Sequence, residues 1–562
     1  MLRLKQGLLA LDQHAGRAES VFDAVPVTGL GFEVANGVFG AVSGISIAST
    51  GSVRQASGAL GQPQLVFRQA VVNVMCVTKA MLITSARLRL SVDREKDEMD
   101  WMRSRLLCVV GLLYLPTWGL AAVIEVTSTA GGSSATECTL VDALIAANTD
   151  TATGGCPAGE GDDVILLPPD GVIVLSEVSD ANGGFSWVGQ SGLPLVYSTI
   201  TIEGRGAEIV RNPDFNCDVV NGASDPDFRF FQVGAIVAGQ PVPSNLTLRD
   251  LTLRNGCVYS EASFGDASGG AILVRGGQLL LDRVSLLENQ ARRDGGAVAG
   301  TFAALMFLES SHLEGNFSNS LGGAVQVGGS TVGLVNARVI GNRARVAGGG
   351  LYLTGGTLGV DNSLVHDNEA GNGGGIGTSN QASAFLEVRN STVSANRGLG
   401  QLGSPGEGGG IGVANPARIL FTSLVDNQGG RGSALHISNA INDGELELIN
   451  SLISGGGADA RCFGNLAQLA VDGVNLADDD SCPSVEFVAN IGLGPLADNG
   501  GPSLTHALLP GSPALDRIDD CSEWDLETDQ RGQPRPGRGS PRCDVGAYEQ
   551  QRAVIFRDRF QD

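Results

Sequence analysis

Residues 269–298 read GGAILVRGGQLLLDRVSLLENQARRDGGAV. A glycine pair precedes an apolar stretch. A second stretch, Gln278-LLLDRVSLL, closes on Leu286-x-x-Asn289, and the glycine pair returns at Gly295. Further along the chain the pattern recurs as Gly322-Gly-Ala-Val, Gly348-Gly-Gly-Leu, Gly373-Gly-Gly-Ile, Gly408-Gly-Gly-Ile and a weaker Gly432-Ser-Ala-Leu. The spacings from Gly269 onward are 26, 27, 26, 25, 35 and 24. The second landmark recurs with it, as Leu313…Asn316, Val339…Asn342, Val365…Asn368, Val393…Asn396 and Leu424…Asn427. Self-similarity at this period means a solenoid or an array. Helical repeats need helix-length segments free of glycine, and these units have none. Short strands separated by glycine and asparagine fit a coil of about three strands. The expected fold class is all-β, a right-handed parallel β-helix. Over residues 160–455 it should have roughly nine or ten coils and span roughly 45 Å.

Asparagine suits a corner because it tolerates left-handed backbone angles and bonds nearby backbone groups. Stacked on successive coils, Asn289, Asn316, Asn342, Asn368, Asn396 and Asn427 should form a ladder. Ile272, Val298, Val325, Leu351, Ile376 and Ile411 should form an inward apolar column. The 35-residue unit carries an insertion, Gly398-LGQLGSPGE, and longer irregular stretches lie at 180–195, 212–245 and 258–268. Insertions in solenoids collect on one face, often the binding face.

The chain has 562 residues, 81 of them glycine, with 42% hydrophobic and 5% aromatic. That apolar content excludes a disordered polymer. Collagen is excluded because the glycines keep no three-residue period and proline numbers only 21. Acids outnumber bases 60 to 37, a net charge of −23. Such a surface repels nucleic acid and anionic lipid, which are bound through clustered cations. Lys5, Lys79 and Lys96 are the only lysines; beyond residue 96 every cation except histidine is arginine.

That break falls beside a targeting signal. Met102-Arg-Ser-Arg, the apolar run Leu106–Leu115 and Gly119-Leu-Ala121 give the order of a secretory signal peptide, basic then apolar then small. Translation is therefore expected to start at Met102 or Met99, with mature protein beginning near Ala122. The expected boundaries are an extension or mis-assigned start at 1–101, signal at 102–121, cap at 122–160, β-helix at 161–455, C-terminal region at 456–549 and tail at 550–562. Beyond the signal stand eight cysteines: Cys138, Cys156, Cys217, Cys257, Cys462, Cys482, Cys521 and Cys543. An even count clustered at both ends of an exported chain reads as disulfides. Eight cysteines allow 105 pairings, of which nearest-neighbour pairing is the simplest. No C-x-x-C pair supports zinc.

The glycine and h-x-x-N repeats resemble those of polymorphic outer membrane proteins and other pectin-lyase-like β-helices. Cys138-TLVDALIAAN followed by Gly161-DDVILLP resembles the CSLREA domain at the head of exported β-helix proteins, although Val141-Asp142 replace its Arg-Glu. Read locally, Leu140, Val141, Leu144 and Ile145 form the apolar face of a short helix with Thr139 as N-cap, suited to cover the open first coil. Asn499-GGPSLTHALLPGSPALD, Asp529-QRGQPRP and Cys543-DVGAYE resemble the choice-of-anchor Q domain. That resemblance implies a cell-surface or outer-membrane setting. The tail Gln551-RAVIFRDRFQD has no transmembrane stretch and no alternating ten-residue strands, so no terminal β-barrel is expected, a departure from polymorphic outer membrane proteins.

Many β-helices are polysaccharide lyases or hydrolases. Beyond the signal this chain has no lysine, and His312, His366, His436 and His506 are scattered. His506 lies in the anchor-associated motif and should serve as a structural hydrogen-bonding group. The best acidic candidates are Asp282 and Glu309, each seven residues before its ladder asparagine. On strands about 4.8 Å apart, two outward carboxylates can approach the separation of a retaining glycosidase pair. Their plain alternative is two solvated acids. Asp478-Asp-Asp is a calcium candidate without EF-hand spacing. Neither a cofactor nor a metal is expected. The sequence supports an exported, non-enzymatic, adhesin-like protein that binds a surface glycan or protein through loops. A polysaccharide lyase or glycoside hydrolase on the same scaffold is the alternative.

Overall fold

The computed structural model describes residues 121–551 apart from 180–189, 223–224, 235, 238–239, 260–266, 382, 401–403, 439–444 and 525. The expected extension and signal, and most of the tail, lie outside the described residues. A full coil lays three main strands and a two-residue step in order, and the end coils lack some of these among the described residues. Face A runs from Phe231–Val233 to Cys462–Gly464, and face B from Val123–Glu125 to Leu469–Asp472. Face C runs from Val172–Leu175 to Glu486–Phe487, and the step from Cys257–Val258 to Gln428–Gly429. The strand pairings between successive coils are parallel, as in Ile272↔Val298↔Val325 on face A, and the register shifts locally at Gly328, where Val325–Val335 meets Leu351–Asp361. The chain is a right-handed parallel β-helix.

Face B alone stacks twelve rungs among the described residues, about 53 Å at one strand spacing per coil. Strand pairing reaches from Val123 to Phe487, beyond the expected 161–455 at both ends. The glycine pair that marks a coil is absent there.

The glycine pair has two separate tasks. Gly322 takes φ +66, a left-handed turn; a Cβ on Gly323 would run into the Gly349 carbonyl of the next coil. The inward column, Ile272 through Ile411, is fully buried and belongs to one continuous core. The ladder forms as well. Asn289 Nδ2 donates to Asn316 Oδ1 at 3.0 Å, and the chain of amides continues through Asn342, Asn368 and Asn396 to Asn427 at 2.9–3.0 Å. One part of its rationale is corrected. The ladder asparagines are not the left-handed residues. That conformation belongs to the residue before each one, Glu288, Gly315, Gly341, Asp367, Ala395 or Asp426. Asparagine stands at the next position because its amide must point inward to bond the coils on either side. A second buried ladder of hydroxyls lines the corner between faces B and C. Ser363 Oγ accepts from Ala337 N, Ser391 Oγ from Ser363 N, and Ser451 Oγ from Thr422 N, each at 3.0 Å.

At the N-terminal end, helix α1 (Leu140–Thr149) packs Leu140, Val141, Ala143, Leu144 and Ala147 into the same core as Ile124 and Ile165. Thr139 caps it, accepting from Asp142 N at 3.2 Å. The cysteines pair as nearest neighbours: Cys138–Cys156, Cys217–Cys257, Cys462–Cys482 and Cys521–Cys543.

Residues 488–551 fold back over face C of the last coils and bury a second apolar cluster around Phe421, Leu452, Ile491 and Val545. Arg535 is the centre of this clamp. It pairs with Glu549 at 3.0 Å, both side chains sealed from solvent. It also donates to Gly546 O and to Asn390 Oδ1, and lies 4.8 Å over the Phe421 ring. Gly546 N in turn donates to Asn450 O at 2.9 Å. Asn390, Phe421 and Asn450 occupy the same left-handed corner on three successive coils, so the clamp grips three rungs at once. His506 sits beside it, bonded to Gly494 O through Nδ1 and to Ser394 Oγ through Nε2, both at 2.9 Å.

Burial lifts the Asp544 carboxyl to about 6 and the Glu549 carboxyl to about 7, with Arg535 opposing both. A carboxyl with a raised folded pKa stabilises the fold fully below its unfolded value and loses that contribution as pH rises through the folded one. Burial pushes His506 down, so its contribution is present above the ordinary histidine value and is lost only on further acidification. Between pH 8 and 6.5 the carboxyls therefore dominate. The clamp should tighten over that window by on the order of 1 kcal/mol. Urea unfolding of Glu549→Gln should show most of this slope removed; an unchanged slope would refute the assignment.

Candidate functional site

Asp282 and Glu309 are register partners on adjacent rungs of face B, as the alignment on Asn289 and Asn316 implies. They stand in a ladder of charges. Arg249 pairs with Glu203 at 2.7 Å and faces Asp282 at 3.8 Å, while Arg283 holds Asp282 at 2.6 Å. Glu309 is exposed. Asp282 is thus neutralised by two guanidiniums. Asp478 and Asp479 are both engaged by neighbouring groups rather than free in a solvated loop. Asp478 pairs with Arg461 at 2.6 Å and accepts from Gly455 N, and Asp479 accepts from Arg461 N. Together they staple the loop closed by Cys462–Cys482.

A cleft of about 170 Å³ opens elsewhere, on face A. The outward register of that face runs Leu273, Ala299, Gln326, Tyr352, Gly377, Gly412, His436, Phe463. Two coils in the middle of this row have no side chain. The Tyr352 ring lies down over the first of them: a Cβ on Gly377 would sit 3.0 and 3.2 Å from Cδ2 and Cε2. Over Gly412 a Cβ would meet nothing closer than 3.4 Å, which leaves bare floor. His436 stacks on Phe463, ring centroids 6.1 Å apart and planes 16° from parallel, and forms the far wall. One rim is polar. Glu407, the last residue of the Gly398 insertion, accepts from Arg431 at 3.1 Å, and its own N–H donates to Asn372 Oδ1 at 3.0 Å. On the opposite rim Ala414 N donates to Thr378 Oγ1 at 2.8 Å.

Burial pushes the His436 imidazole down against the pull of Glu407, and burial, with Asp294, pushes the Tyr352 phenol up. Both are uncharged at neutral pH. No hydrogen bond joins Glu407, His436 and Tyr352 among the described residues, since the Glu407 carboxylate is taken by Arg431. The arrangement offers two aromatic walls and polar rims to a flat ligand. The cleft was missed in the sequence, yet its signal is there. The residue after the inward apolar one is glycine in both GGGIG copies, and histidine in Ser433-Ala-Leu-His436.

No family model matches the chain, and no curated protein matches it. Among solved structures it is similar to the crystal structure of pectate lyase Pel9A, at 13% identity and TM-score 0.36, over 76% of this chain and 96% of that one. It is also similar to tailspike protein 3 of bacteriophage CBA120, at 12% identity and TM-score 0.26, over 58% of this chain and 55% of that one. The fold stands on the strand register described above, and nothing about ligand is carried over from either protein.

Proposed function

We propose that this chain is an exported, non-enzymatic, adhesin-like β-helix protein that binds a glycan in the cleft between Tyr352 and His436. The glycine floor carries the reading. Glycine within a strand sacrifices packing and often marks a site where a ligand approaches closely. Here it clears two rungs between aromatic side chains, whose faces suit the apolar face of a sugar ring. Support for export comes from four disulfides, which persist in oxidising compartments. No described helix is long and apolar enough to cross a membrane. The signal at 102–121, the CSLREA-like head and the choice-of-anchor Q-like end complete the proposal. In it the clamp closes the solenoid beside the anchor point.

The purified chain should bind one member of a panel of acidic and neutral polysaccharides without cleaving it. Tyr352→Ala should weaken that binding at least tenfold, about 1.4 kcal/mol or more. Calorimetry reads the binding, and reducing-end release with ultraviolet absorbance reads turnover. Cleavage abolished by Asp282→Ala or Glu309→Ala would reverse the proposal in favour of a carbohydrate-active enzyme.

A further inference from the structure

Glycine clears an outward register twice on this solenoid. On face B the row runs Leu280, Phe307, Gly333, Gly359, Glu387. Phe307 is 45% exposed, and its ring leans over Gly333, where a Cβ would lie 3.0 and 3.2 Å from Cδ1 and Cε1. A Cβ on Gly359 would meet only the Val332 carbonyl, at 3.9 Å. The row two residues earlier places Thr331, Thr357 and Phe385 on successive rungs, with Phe385 39% exposed. The result is a trough over two glycine rungs, the first roofed by the Phe307 ring and the second bare, with Phe385 beyond it and two hydroxyl-bearing residues along one side. It repeats the construction of the cleft on face A, an aromatic ring laid over one glycine beside a second that is open.

Trough and cleft are also connected. Tyr352 and Gly359 lie on one strand, Leu351–Asp361, seven residues and at most about 23 Å apart. Between them the coils bend through Gly328, Gly329, Gly355 and Gly356, with Thr354 and Thr357 on either side of the second pair, so the path from one to the other crosses glycine backbone edged by hydroxyl-bearing residues.

We infer that the trough is a second subsite for the ligand of the cleft, and that this ligand is an extended neutral polysaccharide. The inference rests on the glycan reading of the cleft. A peptide is a poor occupant, because these residues form the face of a sheet whose ladder bonds are already made, and strand addition needs an edge. A pyranose fits better, since its apolar face can lie on exposed phenylalanine while its hydroxyls reach threonine. Charge selects neutrality. Glu309, Asp361, Glu387 and Glu407 flank the path. The neighbouring cations are committed, Arg389 to Asp361 at 2.5 Å, Arg418 to Glu447 at 3.1 Å and Arg431 to Glu407 at 3.1 Å. A polyuronate would meet acids without free counter-charge.

Affinity electrophoresis of the full chain decides it, in native gels containing dissolved mixed-linkage β-glucan, xyloglucan, galactomannan or polygalacturonate. The wild type should be retarded by a neutral polymer and not by polygalacturonate. Phe307→Ala/Phe385→Ala and Tyr352→Ala should each raise the dissociation constant at least tenfold, with wild-type circular dichroism and melting. Wild-type retardation of the double phenylalanine variant, with loss in Tyr352→Ala, overturns the trough and leaves the cleft standing. The reverse pattern overturns the cleft instead. Retardation by polygalacturonate alone overturns the neutral ligand, and no retardation of wild type by any polymer overturns both subsites.

Discussion

Replacing Arg535 by alanine is expected to release the C-terminal clamp from the β-helix while leaving the coils intact. The guanidinium is fully buried and, among the described residues, is the only cation paired with the Glu549 carboxylate. Without it, Glu549 and Asp544 remain as acids in a sealed pocket, near an Asp529 still paired with Arg531 at 2.7 Å. Removing one partner of a buried pair costs about 3–5 kcal/mol, because the other charge stays desolvated. The same change deletes the bond to Asn390 and the contact with Phe421, and so loosens two of the three rungs gripped. Amide exchange around residues 505–547 should quicken by on the order of 10²–10³-fold, while residues of faces A and B keep their protection. Arg535→Lys should fall between, since an ammonium keeps the charge but not the forked geometry that reaches Glu549, Gly546 and Asn390 together. Unchanged protection in Arg535→Ala would mean that the apolar cluster around Phe421 holds the clamp alone.

What could be read from the residues beforehand follows how local each signal is. The solenoid was legible because its grammar repeats: each glycine pair and each h-x-x-N marks one coil. Nearest-neighbour cysteines were legible as the simplest pairing because each pair closes a short loop. Helix α1 was legible from Thr139 and the apolar spacing after it. The outermost rungs were not legible, since the repeated glycine landmark starts only at Gly269 and ends at Gly432. The cleft and the trough are built across coils, from single positions some 25 residues apart, and appear only once the register is known. Asp282 and Glu309 did align as expected, but their arginine partners, Arg249 and Arg283, decide what the pair can do. The clamp was the least legible part. Its charged residues stand out as a motif, whereas Asn390, Phe421 and Asn450 share nothing in sequence except a place on successive corners.

Those corners join the two ends of the functional proposal. A ligand path that crosses from face B to face A keeps its geometry only if successive rungs stay in register. Register in a solenoid comes from nearest-neighbour contacts alone. The clamp fixes the corners from Asn390 to Asn450, on the coils that carry Phe385, Gly412 and His436. The coils of Phe307, Gly333 and Tyr352 lie before them and have no such brace. Their register is held from inside, by the asparagines.

Asn342 lies in the middle of that internal support, and Asn342→Ala should cost about 4 kcal/mol. Its Oδ1 accepts from Asn316 N at 3.0 Å and Asn316 Nδ2 at 2.9 Å. Its Nδ2 donates to Leu313 O at 2.9 Å and Asn368 Oδ1 at 3.0 Å. Alanine orphans the Asn316 N–H and weakens the hold on Asn316 Nδ2 and Leu313 O, all buried where water cannot replace the bond. Each buried polar group left without a partner costs about 1–3 kcal/mol, and the cavity adds to it. Asn342→Asp should be no better. It restores the acceptor but removes the donor and places a charge in the core. Because each coil couples only to its neighbours, the loss should divide the rod rather than lower it evenly. Urea unfolding monitored by amide exchange should show the coils around residues 313–342 opening first, with the coils beyond residue 396 retaining their protection. Equal destabilisation along the whole rod, or a cost below about 1 kcal/mol, would show that strand pairing holds the register and that the ladder is dispensable.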